Sequence, residues 1–210
     1  MMKTNDSRYL LRWVLSLVML FSPSAHADTP TILVLGDSLS AGYGIAANQG
    51  WVKRLQDRLV ERGFPHRVVN ASISGDTTDG GLSRLPAALE RERPTIVILE
   101  LGANDGLRGQ PPMAMSHNLA RMIELSRQAG AKVLLAEMRI PPNYGPTYTQ
   151  KFHATFAELA KHYDIPLIPF LLDGVAGNPA LIQEDGLHPR TEAQPRILDN
   201  VWGTLEPALR

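Results

Sequence analysis

The sequence predicts an α/β fold: a three-layer α/β/α sandwich, flavodoxin-like, around a mainly parallel five-stranded sheet. Two patterns carry that prediction. Short apolar runs alternate with helical patterns from residue 31 onward, the signature of βαβ units. Within them, Ile96-Val97-Ile98-Leu99 and Val133-Leu134-Leu135 show no polar alternation, which suits strands covered by helices on both faces. The 210 residues contain no internal repeat or low-complexity linker, and this length fits one domain with a full core.

In chain order, the first feature stands outside that domain. Lys3, Arg8 and Arg12 precede the apolar run Trp13 to Phe21, which is too short for an ordinary membrane-spanning helix. Ser22-Pro23-Ser24 breaks the run, and Ala25-His26-Ala27 has the small-x-small form of a cleavage site. Residues 1–27 therefore read as a cleavable signal peptide, and 28–210 as the single mature domain without a stable membrane span. The expected location is the periplasm, with release outside the cell as the alternative. An uncleaved anchor or a packed first helix fits the same residues less well.

The domain opens with a strand at 31–35, followed by a helix at 51–62. Val52, Leu55, Leu59 and Val60 make one stripe of that helix, and Gly63 stops it. Strands follow at 67–70 and 95–101. A helix at 113–129 carries Leu119, Met122, Ile123 and Leu125 and ends before Gly130. After a strand at 132–136 comes a helix at 152–162 with Phe156, Leu159 and Ala160. The last pair is a strand at 166–168 and a helix at 194–205, which turns Ile197, Leu198, Val201 and Trp202 toward the sheet.

Composition narrows the function classes. Lys+Arg and Asp+Glu are both 21, with no basic block, and the five Phe and five Tyr are scattered, so nucleic acid is not an expected partner. Cysteine is absent, which excludes disulfides, thiolate metal sites and a thiol nucleophile.

Four loops carry the chemistry. Gly36-Asp37-Ser38-Leu39-Ser40 follows the first strand, at the sheet edge where open α/β folds place ligands. It presents Ser38 as a nucleophile, although a serine here also suits the cap of a following helix. The pattern differs from the G-x-S-x-G elbow, so the backbone solution must differ too. Among six histidines, His188 has the best-placed acid: Asp185 lies three residues earlier in the same loop. One turn can aim that carboxylate at one ring nitrogen and leave the other for the serine. Gly75 and Asn104 supply donors for an oxyanion together with the Ser38 N–H, or are turn residues only. Asp37 and Asp105 read as braces of their loops. The segment Gly42-Tyr43-Gly44 has no assigned role.

These blocks resemble the SGNH, or GDSL-type, hydrolase family. The likeness covers Gly36 to Ser40, Asn70 to Thr77, Gly102-Ala103-Asn104-Asp105 and Asp185-Gly186-Leu187-His188-Pro189. It continues through Pro141-Pro142-Asn143-Tyr144-Gly145 and Ala193-Gln194-Pro195, and so spans nearly all of residues 28–210. The resemblance implies a serine hydrolase for carboxylic esters and thioesters of the arylesterase, acyl thioesterase or lysophospholipase type, acting through an acyl-serine. It implies Ser38 as nucleophile, His188 as base and then acid, Asp185 as its orienter, and Ser38, Gly75 and Asn104 as the oxyanion hole. Ala103 departs from the pattern, since relatives often carry a second glycine there.

Leu107, Ile140, Pro141 and Tyr144 follow strands at the same edge and are either the expected acyl groove or packing residues. No metal or organic cofactor is expected, and the partner is a small acyl ester or thioester, lysophospholipid included; the sequence favours a monomer without fixing the oligomeric state. Two other readings stay open. A carbohydrate deacetylase would use the same fold and prefer acetyl groups. A non-catalytic acyl- or flavin-binding protein would use the glycine-bearing loop at 74–78, but lacks a phosphate-loop motif and has no use for the Asp185 and His188 pair.

Overall fold

The structure is a computed structural model, and it describes residues 29–210. The expected signal peptide at 1–27 lies outside the described residues. Five strands, β1 (Thr31–Gly36), β2 (Arg67–Asn70), β3 (Ile96–Glu100), β4 (Lys132–Ala136) and β5 (Leu167–Ile168), form one sheet in the order β2-β1-β3-β4-β5. Every neighbouring pair is parallel. This is the flavodoxin-like order, with its switch point between β1 and β3. The observed layout is the predicted α/β/α sandwich.

Among the described residues, seven α-helices accompany the sheet. They are α1 (Ser38–Ala41), α2 (Trp51–Glu61), α3 (Thr78–Glu92), α4 (Ala103–Leu107), α5 (Pro112–Gln128), α6 (Pro146–Tyr163) and α7 (Gln194–Leu205). On one face α2 packs with α7; on the other, α3, α5 and α6 stand side by side. All residues of β1 and β3 are buried, as the apolar runs Ile32–Leu35 and Ile96–Leu99 require, and the polar Thr31 and Glu100 are buried with them. The edge strand β2 is only half-covered. Trp51, Phe152 and Phe156 are the largest fully buried side chains, and the two Phe rings meet edge to face at 5.5 Å. Among the described residues, no helix is long and apolar enough to cross a membrane.

Helix α3 is absent from the sequence-based prediction. Gly80, Gly81 and Pro86 read as breakers, yet Gly81, Leu85, Ala88 and Leu89 form its buried stripe. The Thr77 hydroxyl caps it through Gly80 N–H, so packing and a cap together override poor propensity. Helix α6 also begins earlier than predicted, at Pro146, a residue type suited to a first turn.

The register that matters most for the site is the last rung between β1 and β3, where Gly36 lies opposite Glu100. The turns after these two strands therefore leave the sheet side by side at the switch point.

Candidate active site

The first turn converts a strand into a one-turn helix within three residues. Asp37, not Ser38, caps α1: its Oδ1 accepts the Leu39 N–H at 3.0 Å. Ser38 is then the first helical residue, half-buried, with its side chain free for other partners. Space is tight at Gly36: a Cβ would stand 2.4 Å from Glu100 Oε2 and 2.9 Å from Ser40 Cβ, so those side chains would have to shift.

Ser38 Oγ lies 3.0 Å from His188 Nε2, and His188 Nδ1 lies 2.6 Å from Asp185 Oδ2. The carboxylate fixes the proton on Nδ1 and leaves Nε2 as the acceptor facing the serine hydroxyl. Asp185 itself is held by its loop: Oδ1 accepts the N–H groups of Leu187 and His188, both at 2.9 Å. A bridge between Ile182 and Pro189 closes that loop, with Gln183 N–H donating to His188 O at 2.7 Å. The side chain of Gln183 ties Pro189 O to Tyr43 O, and the Tyr43 ring rests on the His188 ring at 4.4 Å. The segment Gly42-Tyr43-Gly44 thus forms a wall against the histidine.

Gly75 and Asn104 arrive from the turns after β2 and β3. Gly75 has φ +81°, a left-handed conformation natural to glycine, and Arg108 donates to its carbonyl at 2.8 Å. Among the described residues, the Gly75 N–H has no acceptor; nor has the Ser38 N–H. Asn104 is more committed. Its amide donates to Asp37 Oδ2 at 3.1 Å and to Asp76 O at 2.9 Å, which ties three loops together and occupies both protons. It would have to share one of them with an oxyanion. Ala103 is the first residue of α4, and its methyl lines the cavity without displacing that amide. Asp105 braces its loop as expected, accepting the Thr78 N–H and hydroxyl at 2.9 and 2.5 Å.

Charge is arranged unevenly. Burial raises the Asp185 carboxyl, but the N–H groups of His188 and Leu187, the His188 ring and its charge outweigh that and hold it at about 2. Burial pushes Asp37 up to about 6, against the Leu39 N–H, the His188 charge and a hydrogen bond from Glu100. Burial first, and then the Asp37 charge, raise Glu100 well above the usual carboxylate range. Among the described residues, no group of three or more His, Asp or Glu is arranged to hold a metal ion.

A cavity of about 150 Å³ opens beside Ser38, Asn104 and His188. Of the expected groove residues, Leu107 and Pro141 line it. Ile140 does not: its side chain packs toward Gly106. Tyr144 does not either; its hydroxyl donates to Leu107 O at 2.8 Å. The apolar wall comes instead from Met138, Phe170, Leu172 and Leu187. Phe170 and Leu172 follow β5 in an apolar run that reads as core. Leu187, 41% exposed, sits inside the Asp185-to-Pro189 block and was the one signal available.

The chemistry this arrangement allows is nucleophilic attack by an exposed-edge serine with a base in reach and two free N–H donors nearby. Comparison with known proteins agrees. The family model described as GDSL-like Lipase/Acylhydrolase matches residues 34–194. "Esterase TesA" of Pseudomonas aeruginosa is 50% identical over 200 residues, 95% of this chain and 98% of the relative. "Thioesterase 1/protease 1/lysophospholipase L1" of Escherichia coli K12 is 43% identical over 210 residues, 99% of this chain and 97% of the relative. Among solved structures, the psychrotrophic esterase EstA from Pseudoalteromonas sp., inhibited by monoethylphosphonate, superposes with a TM-score of 0.82 at 45% identity, covering 85% of this chain and 98% of that one.

Proposed function

The chain belongs to the GDSL-like Lipase/Acylhydrolase family, and we propose that it hydrolyses esters and thioesters of acyl groups through an acyl-serine at Ser38. One observation carries the reading: the hydrogen-bonded sequence Ser38 Oγ, His188 and Asp185, with links of 3.0 and 2.6 Å, at the mouth of an apolar cavity.

In the first step His188 Nε2 takes the Ser38 proton as Oγ attacks the carbonyl carbon. Asp185 keeps the imidazole in the competent tautomer and stabilises the imidazolium. Charge developing on the carbonyl oxygen falls to the Ser38 and Gly75 N–H groups, with Asn104 sharing a proton. Removing one such donor typically costs about 10²–10³ in turnover. His188 then protonates the leaving alcohol or thiol, and in the second step draws a proton from water as it attacks the acyl-serine.

The relatives' names support aryl esters, thioesters and lysophospholipids as substrates. The basic, apolar and small-residue order of 1–27 supports export, which places envelope acyl esters within reach and cytosolic acyl-thioesters out of it. The cavity keeps a second reading in view: about 150 Å³ is below the ~300–1,000 Å³ of most ligand pockets and suits a short acyl group, as a carbohydrate deacetylase would need.

The test compares the protein with Ser38→Ala on aryl esters from acetyl to palmitoyl. Turnover should fall by about 10⁴–10⁶ in the variant, as when a serine nucleophile is lost elsewhere. An unchanged rate would remove Ser38 from the mechanism, and an optimum at acetyl would favour the deacetylase.

A further inference from the structure

Glu100 ends β3, and no motif marks it. It is fully buried, and the sheet register sets it beside Gly36. Its Oε2 accepts two hydrogen bonds, from the Asp37 N–H at 3.2 Å and from the Ser40 hydroxyl at 2.5 Å. Its Oε1 is buried without a partner among the described residues. The carboxyl of Asp37, 1% exposed, is its neighbour, and each shifts the titration of the other.

Two buried carboxyls in contact cannot both be ionised without a cation to hold them. Besides its two members, three charged or titratable groups stand near this pair: Asp76 from the turn after β2, Arg84 from α3, and His188. Arg84, on the far side of Gly36, is spent on Asp76 Oδ2 at 2.7 Å and on the carbonyls of Ala71 and Gly36. His188 is turned to Ser38 and Asp185. Among the described residues, no cation is in ion-pair contact with Glu100. The two oxygens of Glu100 are therefore unequal. Oε2 is met by two donors, as a carbonyl oxygen would be, while Oε1 is buried without a donor among the described residues.

We propose that, in the reaction assigned to Ser38, Glu100 is a positioning residue that acts as a neutral acid, its Oε1–H donating to the Asp37 carboxylate. The proposal rests on the hydrolase reading. Asp37 is the joint: Oδ1 caps α1, which begins at Ser38, and Oδ2 receives the Asn104 amide. A proton on Glu100 locks that joint, so the nucleophile's turn and the third oxyanion donor are held by one network. Loss of the proton would set two charges against each other beneath Ser38. Because the folded state favours the protonated acid, this stabilisation is full below the ordinary carboxylate range and is lost only as pH rises through the raised value.

The experiment pairs infrared difference spectra with aryl-ester kinetics for the wild type, Glu100→Gln and Glu100→Ala. At about pH 8, where ordinary carboxyls are ionised, the wild type should show a carboxylic-acid carbonyl band that Glu100→Gln lacks. Glutamine mimics the neutral acid, with one acceptor and one donor, and should keep at least a third of the wild-type kcat. Alanine strands the Asp37 N–H and the Ser40 hydroxyl, and should lower kcat by about tenfold or more with a much smaller change in KM. The Gln-to-wild-type activity ratio should also climb toward alkaline pH, since glutamine cannot ionise. Absence of the band, or a Gln variant as slow as the Ala variant, overturns the proposal; these two measurements suffice even where the Ala variant does not fold. A wild type without ester hydrolysis would instead sink the hydrolase reading, and the positioning role with it, independently of the band.

Discussion

Replacing Asp185 by Asn tests the proton path at the link where one atom decides the outcome. In the wild type the carboxylate receives three hydrogen bonds: two backbone N–H groups on Oδ1 and the His188 ring on Oδ2. Asparagine keeps an oxygen for the backbone pair, so the loop retains its shape. Its amide nitrogen then replaces Oδ2, 2.6 Å from His188 Nδ1, and two donors cannot share that contact. The imidazole is driven to the tautomer with its proton on Nε2, which turns the atom 3.0 Å from Ser38 Oγ from an acceptor into a donor. The base is lost while its geometry is kept. A tautomer error of this kind costs about 10⁴ in kcat in a serine protease, or ~5.5 kcal/mol of transition-state stabilisation. Folding should respond far less. The Asp185 side chain is 38% exposed, and contacts at such a surface are worth at most about 1 kcal/mol. Its depressed pKa contributes stability above the ordinary carboxylate range, lost only as pH falls toward about 2, so the small difference should be flat from neutral to mildly acidic conditions. Steady-state kinetics on an aryl ester and a thermal melt measure both. A kcat loss under tenfold, or a loss explained by unfolding, would refute the reasoning.

Gly36→Ala should cost about 1–3 kcal/mol in urea denaturation and lower kcat more than it raises KM, because its methyl would press on Glu100 Oε2 and Ser40 at 2.4 and 2.9 Å. Wild-type turnover in that variant would show that the turn tolerates a shift of its support. Leu59→Ala, a fully buried change on α2 away from the cavity, should lower unfolding free energy by about 2–5 kcal/mol and leave kcat per folded molecule unaltered. A matching fall in kcat would mean that the α2 layer and the site are coupled.

Much of the fold is legible because each buried strand announces itself by an unbroken apolar run. The bounds of β2, β4 and α7 coincide with those read from the sequence, and β1 and β5 differ by one residue. Helix α3 is the gap: its glycines and Pro86 carry the local signal, and the buried stripe that outweighs them depends on packing against β1 and α5. The structure brings Ser38, His188 and Asp185 together, residues that stand in distinctive turns and so can be picked out singly. The groove is less legible. Ile140 and Met138 lie two residues apart after β4, but only Met138 lines the cavity, and no periodicity tells which side of an irregular segment faces out. Phe170 and Leu172 are indistinguishable by composition from core neighbours such as Leu171.

The three-residue turn at 36–38 has its explanation elsewhere in the chain. Gly36 is bare because Glu100, brought alongside by the β1–β3 register, fills the space a side chain would take. Asp37 is acidic because it must accept from both Leu39 and Asn104 while resting against that same glutamate. Only Ser38 owes nothing to this scaffold, since its hydroxyl points to His188. The turn is thus two structural residues that hold a third, with Asp37 the brace that its sequence suggests. Its integrity depends on a buried acid 62 positions beyond the serine, so a search for the site by sequence should weigh the residue that ends β3 together with the turn that follows β1.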